Sequence, residues 1–204
     1  MKKKLLLFII IILLFLVSGC VRSQSKEKYE NALEILTKYP ESLYDSSHPK
    51  ANEVIDLLNE ARLKDPPWWK PYMKLLYCYQ SQKQYGDIIN VYQLWIKENG
   101  NRLTNQQHLG LGAAYELNGE LIKAQEYFFQ AWCNLEETQI QKKKITESEL
   151  VAGVYAGFLS GLLTVERYPV YTDWFGGKTS LYEFVIYYWK YSQREEILNN
   201  FVGY

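Results

Sequence analysis

The stretch LGAAYELNGELIKAQEYFFQA, residues 111–131, spells out two helices and the turn between them. Leu111, Gly112 and Tyr115 lie on the first helix; Ala124, Phe128 and Ala131 lie on the second. Gly112 and Ala124 are small, as two antiparallel helices require where they cross closely. Tyr115 and Phe128 fill the space on either side of that crossing. Gly119 falls between the helices, where the absence of a Cβ permits a tight turn. The same frame recurs 36 residues earlier. Leu75 stands at the Leu111 place, Tyr79 at Tyr115, Tyr92 at Phe128 and Trp95 at Ala131. The earlier copy has Leu76 for the small residue, Ile88 for the alanine and Lys83 for the turn glycine, with Gly86 nearby.

This pattern, L-G-x2-Y…A-x3-F…A, resembles the tetratricopeptide repeat (TPR), whose unit is a helix pair of about 34 residues. Against that unit the offset of 36 puts two extra residues between the copies, around Gly100 and Asn101. The best copies span 69–102 and 105–138. Leu58, Ala61 and Pro66 fit the end of a third, whose first helix would be broken by Pro40 and the loop through Pro49. The resemblance implies an all-α fold: a TPR-like α-solenoid of antiparallel helix pairs over 28–138, stacked right-handed with the first helices lining a concave face. Carried over by position, the groove would be lined by Lys70, Met73, Tyr77 and Gln80, then by Gln106, Leu109, Ala113 and Glu116. That mixture of polar and apolar groups suits a peptide or protein surface better than a small ionic ligand.

At the front of the chain Lys2, Lys3 and Lys4 precede an apolar run of thirteen residues, 5–17. A comfortable membrane span needs about 20, whereas a signal peptide needs no more than this. Val17-Ser18-Gly19-Cys20 follows and resembles the bacterial lipobox. In that family the cysteine thiol receives a diacylglyceryl group, the chain is cut before the cysteine, and the new amino group is often acylated too. The resemblance therefore implies a cleaved signal peptide over 1–19 and lipidation at Cys20. Residues 20–27 are then expected to be a polar tether. Two or three acyl chains at about 0.8 kcal/mol per buried CH₂ make a stable anchor. The implied location is the bacterial cell envelope: the outer membrane in a Gram-negative cell, since Val21 and not aspartate follows the cysteine, or the outer face of the cell membrane in a Gram-positive one.

Before the first repeat, Tyr29, Ala32, Leu33 and Leu36 show helical spacing up to Pro40, and Val54, Leu57, Leu58 and Ala61 do so up to Asp65-Pro66-Pro67. Behind the repeats, 139–204 is expected to form a C-terminal helical cap. Thr146 and Glu149 form a capping box ahead of an apolar helix over 150–165. Gly153, Gly157 and Gly161 recur on one face of it and would admit another helix closely. Ser180 and Glu183 open a second helix over 181–191, aromatic on nearly every side, which is the expected occupant of that glycine face. The pair would close the open end of the solenoid.

The whole chain carries 23 basic and 23 acidic residues; without Lys2, Lys3 and Lys4 the balance is 20 to 23, a net charge of −3. Such a balance gives no reason to expect nucleic acid as a partner. Cys78 and Cys133 fall at apolar helical positions and are expected to be unpaired and buried, as small hydrophobes. The two histidines, His48 and His108, belong to no cluster with metal-ligand spacing, and no nucleophile–base arrangement or nucleotide loop is present. No cofactor is expected beyond the lipid on Cys20, and no enzymatic activity. The expected role is a protein–protein interaction scaffold or assembly adaptor with a protein partner in the envelope. An alternative is a ligand-binding lipoprotein that stacks a glycan or peptide on Trp68, Trp69, Tyr72 or Trp174.

Overall fold

Prolines and glycines set the boundaries of the helices. The computed structural model describes residues 2–100, 103–140, 146–162 and 192–202, which are all-α with no strand among them. The chain divides into two compact units, Met1–Gln82 and Lys83–Tyr204.

The first unit contains α1 (Lys2–Lys38), a 3-10 turn (Pro40–Leu43), α2 (Pro49–Lys64) and α3 (Trp69–Ser81). Pro40 and Pro49 each open the element they begin, where a missing N–H removes no intrahelical bond. His48 caps α2, its Nδ1 accepting from the Lys50 N–H at 3.2 Å. α1 packs along α2, with Ala32, Val54, Leu58 and Ala61 buried. Burying one leucine such as Leu58 stabilises by about 1.5–3 kcal/mol.

The expected tether over 20–27 does not form. No Gly or Pro interrupts the chain between Cys20 and Lys38, so the helix runs straight through. Its side chains also find partners on α2. The buried Ser25 Oγ donates to the Ala61 carbonyl at 2.7 Å, and Lys28 pairs with Glu60 at 2.8 Å. Lys64 reaches Gln24 at 2.9 Å, and Arg22 lies 3.8 Å from Asp65, just beyond the α2 C-terminus. The first described buried residue of the packed unit, Ser25, thus lies five positions after Cys20.

The second unit contains α4 (Tyr85–Asn99), α5 (Asn105–Leu117), α6 (Leu121–Ile140), α7 (Glu147–Leu159) and α8 (Arg194–Phe201). α5 starts on a complete capping box: Thr104 Oγ1 accepts from Gln107 N at 3.2 Å, and Gln107 Oε1 accepts from Thr104 N at 2.9 Å. It ends at Gly119, whose φ is +85°. There the Glu120 N–H donates to the Tyr115 carbonyl (2.8 Å) and the Gly119 N–H to the Glu116 carbonyl (2.9 Å), which closes the helix end in a Schellman motif. The turn folds α6 back onto α5, and the crossing is as close as the small residues imply. A Cβ on Gly112 would lie 2.6 Å from the Phe128 ring and 3.2 Å from the Ala124 carbonyl oxygen.

α7 begins at Thr146, whose hydroxyl accepts from the Glu149 N–H at 3.3 Å. It stops at Leu159, short of the expected 165, because Gly161 takes φ +75° just past the helix end. The glycine face meets a different helix from the one expected. A Cβ on Gly157 would lie 2.5 Å from the Trp132 ring, and one on Gly153 would lie 2.6 Å from Leu135, both on α6. Gly161 takes no part in this contact. The helix expected over 181–191 and its Ser180–Glu183 box lie outside the described residues.

The two copies of the repeat agree in one backbone detail. Lys83, at the place of Gly119, is the one described non-glycine residue with positive φ, +55°. Gln82 N bonds to the Cys78 carbonyl as Asn118 N bonds to the Ala114 carbonyl, 36 positions on. The copy at 69–102 is divided between the units, α3 closing the first and α4 opening the second.

Candidate interaction surface

α3 is held by one face and exposes the other. Tyr72, Leu75 and Leu76 are fully buried, and Cys78 nearly so. On the opposite side Lys70, Met73 and Tyr77 are exposed and Gln80 is half-buried, a spacing of three, four and three residues that keeps them in line. Met73 and Tyr77 each retain 43% of their surface. Lys74 Nζ sits 5.2 Å from the centre of the Tyr77 ring, which adds a cation–π contact.

The sequence reading missed a fifth member of this face. Tyr44, just after the 3-10 turn, is 64% exposed and close enough to Tyr77 to bear on its ionisation. The neighbouring phenol is the first cause that raises the Tyr77 pKa; burial is the second. Gln82 ties the turn to the α3 end, its Nε2 donating to the Ser42 carbonyl at 3.4 Å. No helical periodicity points from Tyr44 to α3, so only the fold brings them together.

The four positions expected to extend the groove on α5 do not form an open face. Leu109 and Ala113 are fully buried, and Gln106 is half-buried. The reason is that α7 and α8 also pack against α5. Glu116 is engaged too: the Arg194 guanidinium at the start of α8 grips its carboxylate with two hydrogen bonds, the Nη2 one at 2.9 Å. Tyr85 OH donates to Asn199 at 2.9 Å, and Ile197 and Leu198 of α8 are buried. A second exposed apolar set, Leu121, Ile122 and Phe129, lies on α6.

The tryptophans offered for ring stacking are occupied within the first unit. Trp68 packs edge-on against Tyr29 (centroids 5.0 Å apart), and Trp69 stacks on the buried Tyr72 (5.8 Å). Trp174 lies outside the described residues. Cys78 and Cys133 are free thiols; Cys78 is buried, and burial pushes its pKa up to about 11. Cys133 is only half-buried, less than the apolar spacing implied. Cys20 lies on α1 next to Gly19, where an added Cβ would meet nothing within 4 Å. Among the described residues no group of His, Cys, Asp and Glu is placed to hold a metal ion, and no helix is long and apolar enough to cross a membrane. No family model, curated protein or solved structure matches the chain.

Proposed function

We propose that this protein is a lipid-anchored, non-catalytic scaffold of the bacterial cell envelope, built from TPR-like helix pairs, which binds a protein partner through α3. The observation that carries this reading is the exposed line Lys70–Met73–Tyr77 on a helix whose other face is packed, with the exposed Tyr44 ring beside it from the 3-10 turn. Lys70 and Lys74 flank the apolar centre, so the complementary partner surface is apolar with carboxylates at its rim. Support for the repeat comes from the Gly112–Phe128 crossing and from the shared positive φ at Lys83 and Gly119. The lipobox resemblance at Cys20 supplies the anchor, and α1 packs onto α2 from Ser25 onward. A lipid on Cys20 would therefore hold the first unit against the bilayer with little slack.

The test is a crosslinked pull-down from native envelopes with tagged wild type and a Met73→Glu/Tyr77→Ala variant. Loss of one or two specific proteins in the variant supports the reading. The same set recovered with both, or none with either, removes α3 as the working face. Labelled fatty acid entering a Cys20→Ala variant would overturn the anchor.

A further inference from the structure

The first unit gathers basic and apolar side chains at the end that carries Cys20. α1 leaves that end and α2 returns to it, as the contacts of Arg22 with Asp65 and of Gln24 with Lys64 show. The last turn of α2 and the start of α3 therefore lie beside the anchor position. Residues 20–26 and 61–64 contain Arg22, Lys26, Arg62 and Lys64 and no acid. Arg62 is buried over the Tyr72 ring, which leaves the other three for contact. Arg22, Lys26 and Trp68 line a cleft of about 150 Å³, roomy enough for a phosphate group and too small for a folded partner.

Three features define what meets this end. The first is loosely held charge. The Arg22 and Lys26 side chains keep 80% and 69% of their surface, and Asp65 and Glu30 stand off from them at 3.8 and 3.5 Å. A charge-assisted bond closes to about 2.7–2.9 Å, as Lys28 does with Glu60 at 2.8 Å. Exposed pairs held so loosely contribute little, and another anion displaces them. Lys64 donates to the neutral Gln24 carboxamide. The second feature is apolar surface in the same place. Val21 and Leu63 are exposed, and the Trp68 indole borders the cleft. Indoles and long basic side chains sit well at the level of lipid headgroups. The third is height. At 1.5 Å per residue, Arg22 stands about 3 Å and Lys26 about 9 Å along α1 from Cys20. Headgroups extend roughly 5–7 Å beyond the hydrocarbon core, within reach of both side chains.

We infer that this end of the first unit rests on an anionic lipid surface, with Arg22, Lys26 and Lys64 on headgroup phosphates and Leu63 and Trp68 at the boundary with the acyl chains. The inference rests on the anchor proposed at Cys20 and adds the lipid class. A zwitterionic headgroup offsets its phosphate with its own cation; a net-anionic one leaves that charge for the protein.

The test is photo-crosslinking of the full chain, purified from membranes and reconstituted into vesicles of equal parts phosphatidylcholine and phosphatidylglycerol. A benzophenone amino acid replaces Leu63 or, as the control, the exposed Ser46 before the opposite end of α2. Lipid adducts should form at position 63 and not at 46, favouring phosphatidylglycerol by about fivefold or more, the scale of one base at an anionic surface. Arg22→Gln/Lys26→Gln should remove most of that preference, and Lys38→Gln, at the far end of α1, should leave it. Intact mass reports the acyl groups on Cys20 independently. With those groups present, the inference is overturned and the anchor stands if position 63 gives no lipid adducts or no more than position 46. Equal adducts of the two lipids have the same meaning, as does a preference that the double variant keeps or that Lys38→Gln lowers as much. A chain without acyl groups overturns the anchor and this inference with it.

Discussion

Gly112→Ala should destabilise the protein, although the same change at most helical glycines stabilises. Alanine in place of glycine in a helix interior gains about 1 kcal/mol of propensity. At Gly112 the new Cβ would lie 2.6 Å from two carbons of the Phe128 ring and 3.2 Å from the Ala124 carbonyl oxygen. Neither neighbour is the free end of a flexible chain: Phe128 is fully buried and the oxygen belongs to the α6 backbone. Forcing a methyl into such packing costs typically 1–3 kcal/mol, and here the middle to upper part of that range applies. The net expectation is a loss of about 1–2 kcal/mol, or a melting temperature lower by roughly 3–6 °C for a chain of this size. Gly86 is the internal control. It lies in the first turn of α4, and its added Cβ would approach only Asn118 Oδ1, at 3.8 Å. Gly86→Ala should therefore raise stability by roughly 0.4–1 kcal/mol. Thermal melts followed by circular dichroism at the helical minimum compare the two. A Gly112 variant that melts at or above wild type would refute the close crossing, and with it the packing assigned to α5 and α6.

Three further expectations concern the turn, the C-terminus and pH. Lys83 occupies the left-handed region that its counterpart Gly119 takes freely, so Lys83→Gly should stabilise and Gly119→Lys destabilise, each by roughly 1 kcal/mol in urea titration; equal signs would break the correspondence of the two turns. Arg194→Ala removes both hydrogen bonds to Glu116 and one, at 3.3 Å, to the Leu159 carbonyl, so amides of α8 should exchange with deuterium faster, by about tenfold for a loss near 1.4 kcal/mol; unchanged exchange would mean that the apolar contacts alone hold the helix. Burial lowers the His108 pKa from 6.5 to about 4, so in that window the unfolded chain binds a proton that the folded chain refuses. Its contribution to stability is thus complete above pH 6.5 and lost as pH falls toward 4. Melting temperatures of wild type and His108→Gln should converge over that range as pH is lowered, and a constant difference between pH 7 and 4 would contradict it.

Local rules carried the helix pair well and the neighbours badly. The small residues at 112 and 124, the aromatic at 128 and the turn at 119 express contacts within twenty residues of one another, and each appears where its chemistry requires. The capping box at Thr104 and Gln107, T-x-x-Q, carries the same kind of signal as the T-x-x-E at Thr146, but the sequence reading passed over it. What periodicity supplies is a face, not its occupant. The α7 glycines announced a close contact, but Trp132 and Leu135 occupy it, and nothing in their spacing names α7 as the partner. The same gap explains α5. Leu109 and Ala113 fall at groove positions of the repeat, yet α7 and α8 pack over that helix. The tether failed for another reason. Its polar residues pointed to solvent, but Gln24 and Ser25 meet hydrogen-bonding groups on α2.

The central claim is that the exposed side of α3 is where a partner docks. Its most direct test is photo-crosslinking in living cells with a benzophenone amino acid placed at Tyr77, at Met73, and at the exposed Asp56 of α2. A discrete adduct of one mass from positions 77 and 73, absent from position 56, is the predicted result. Adducts at position 56 that match those at 77, or none at 77 and 73, would contradict it.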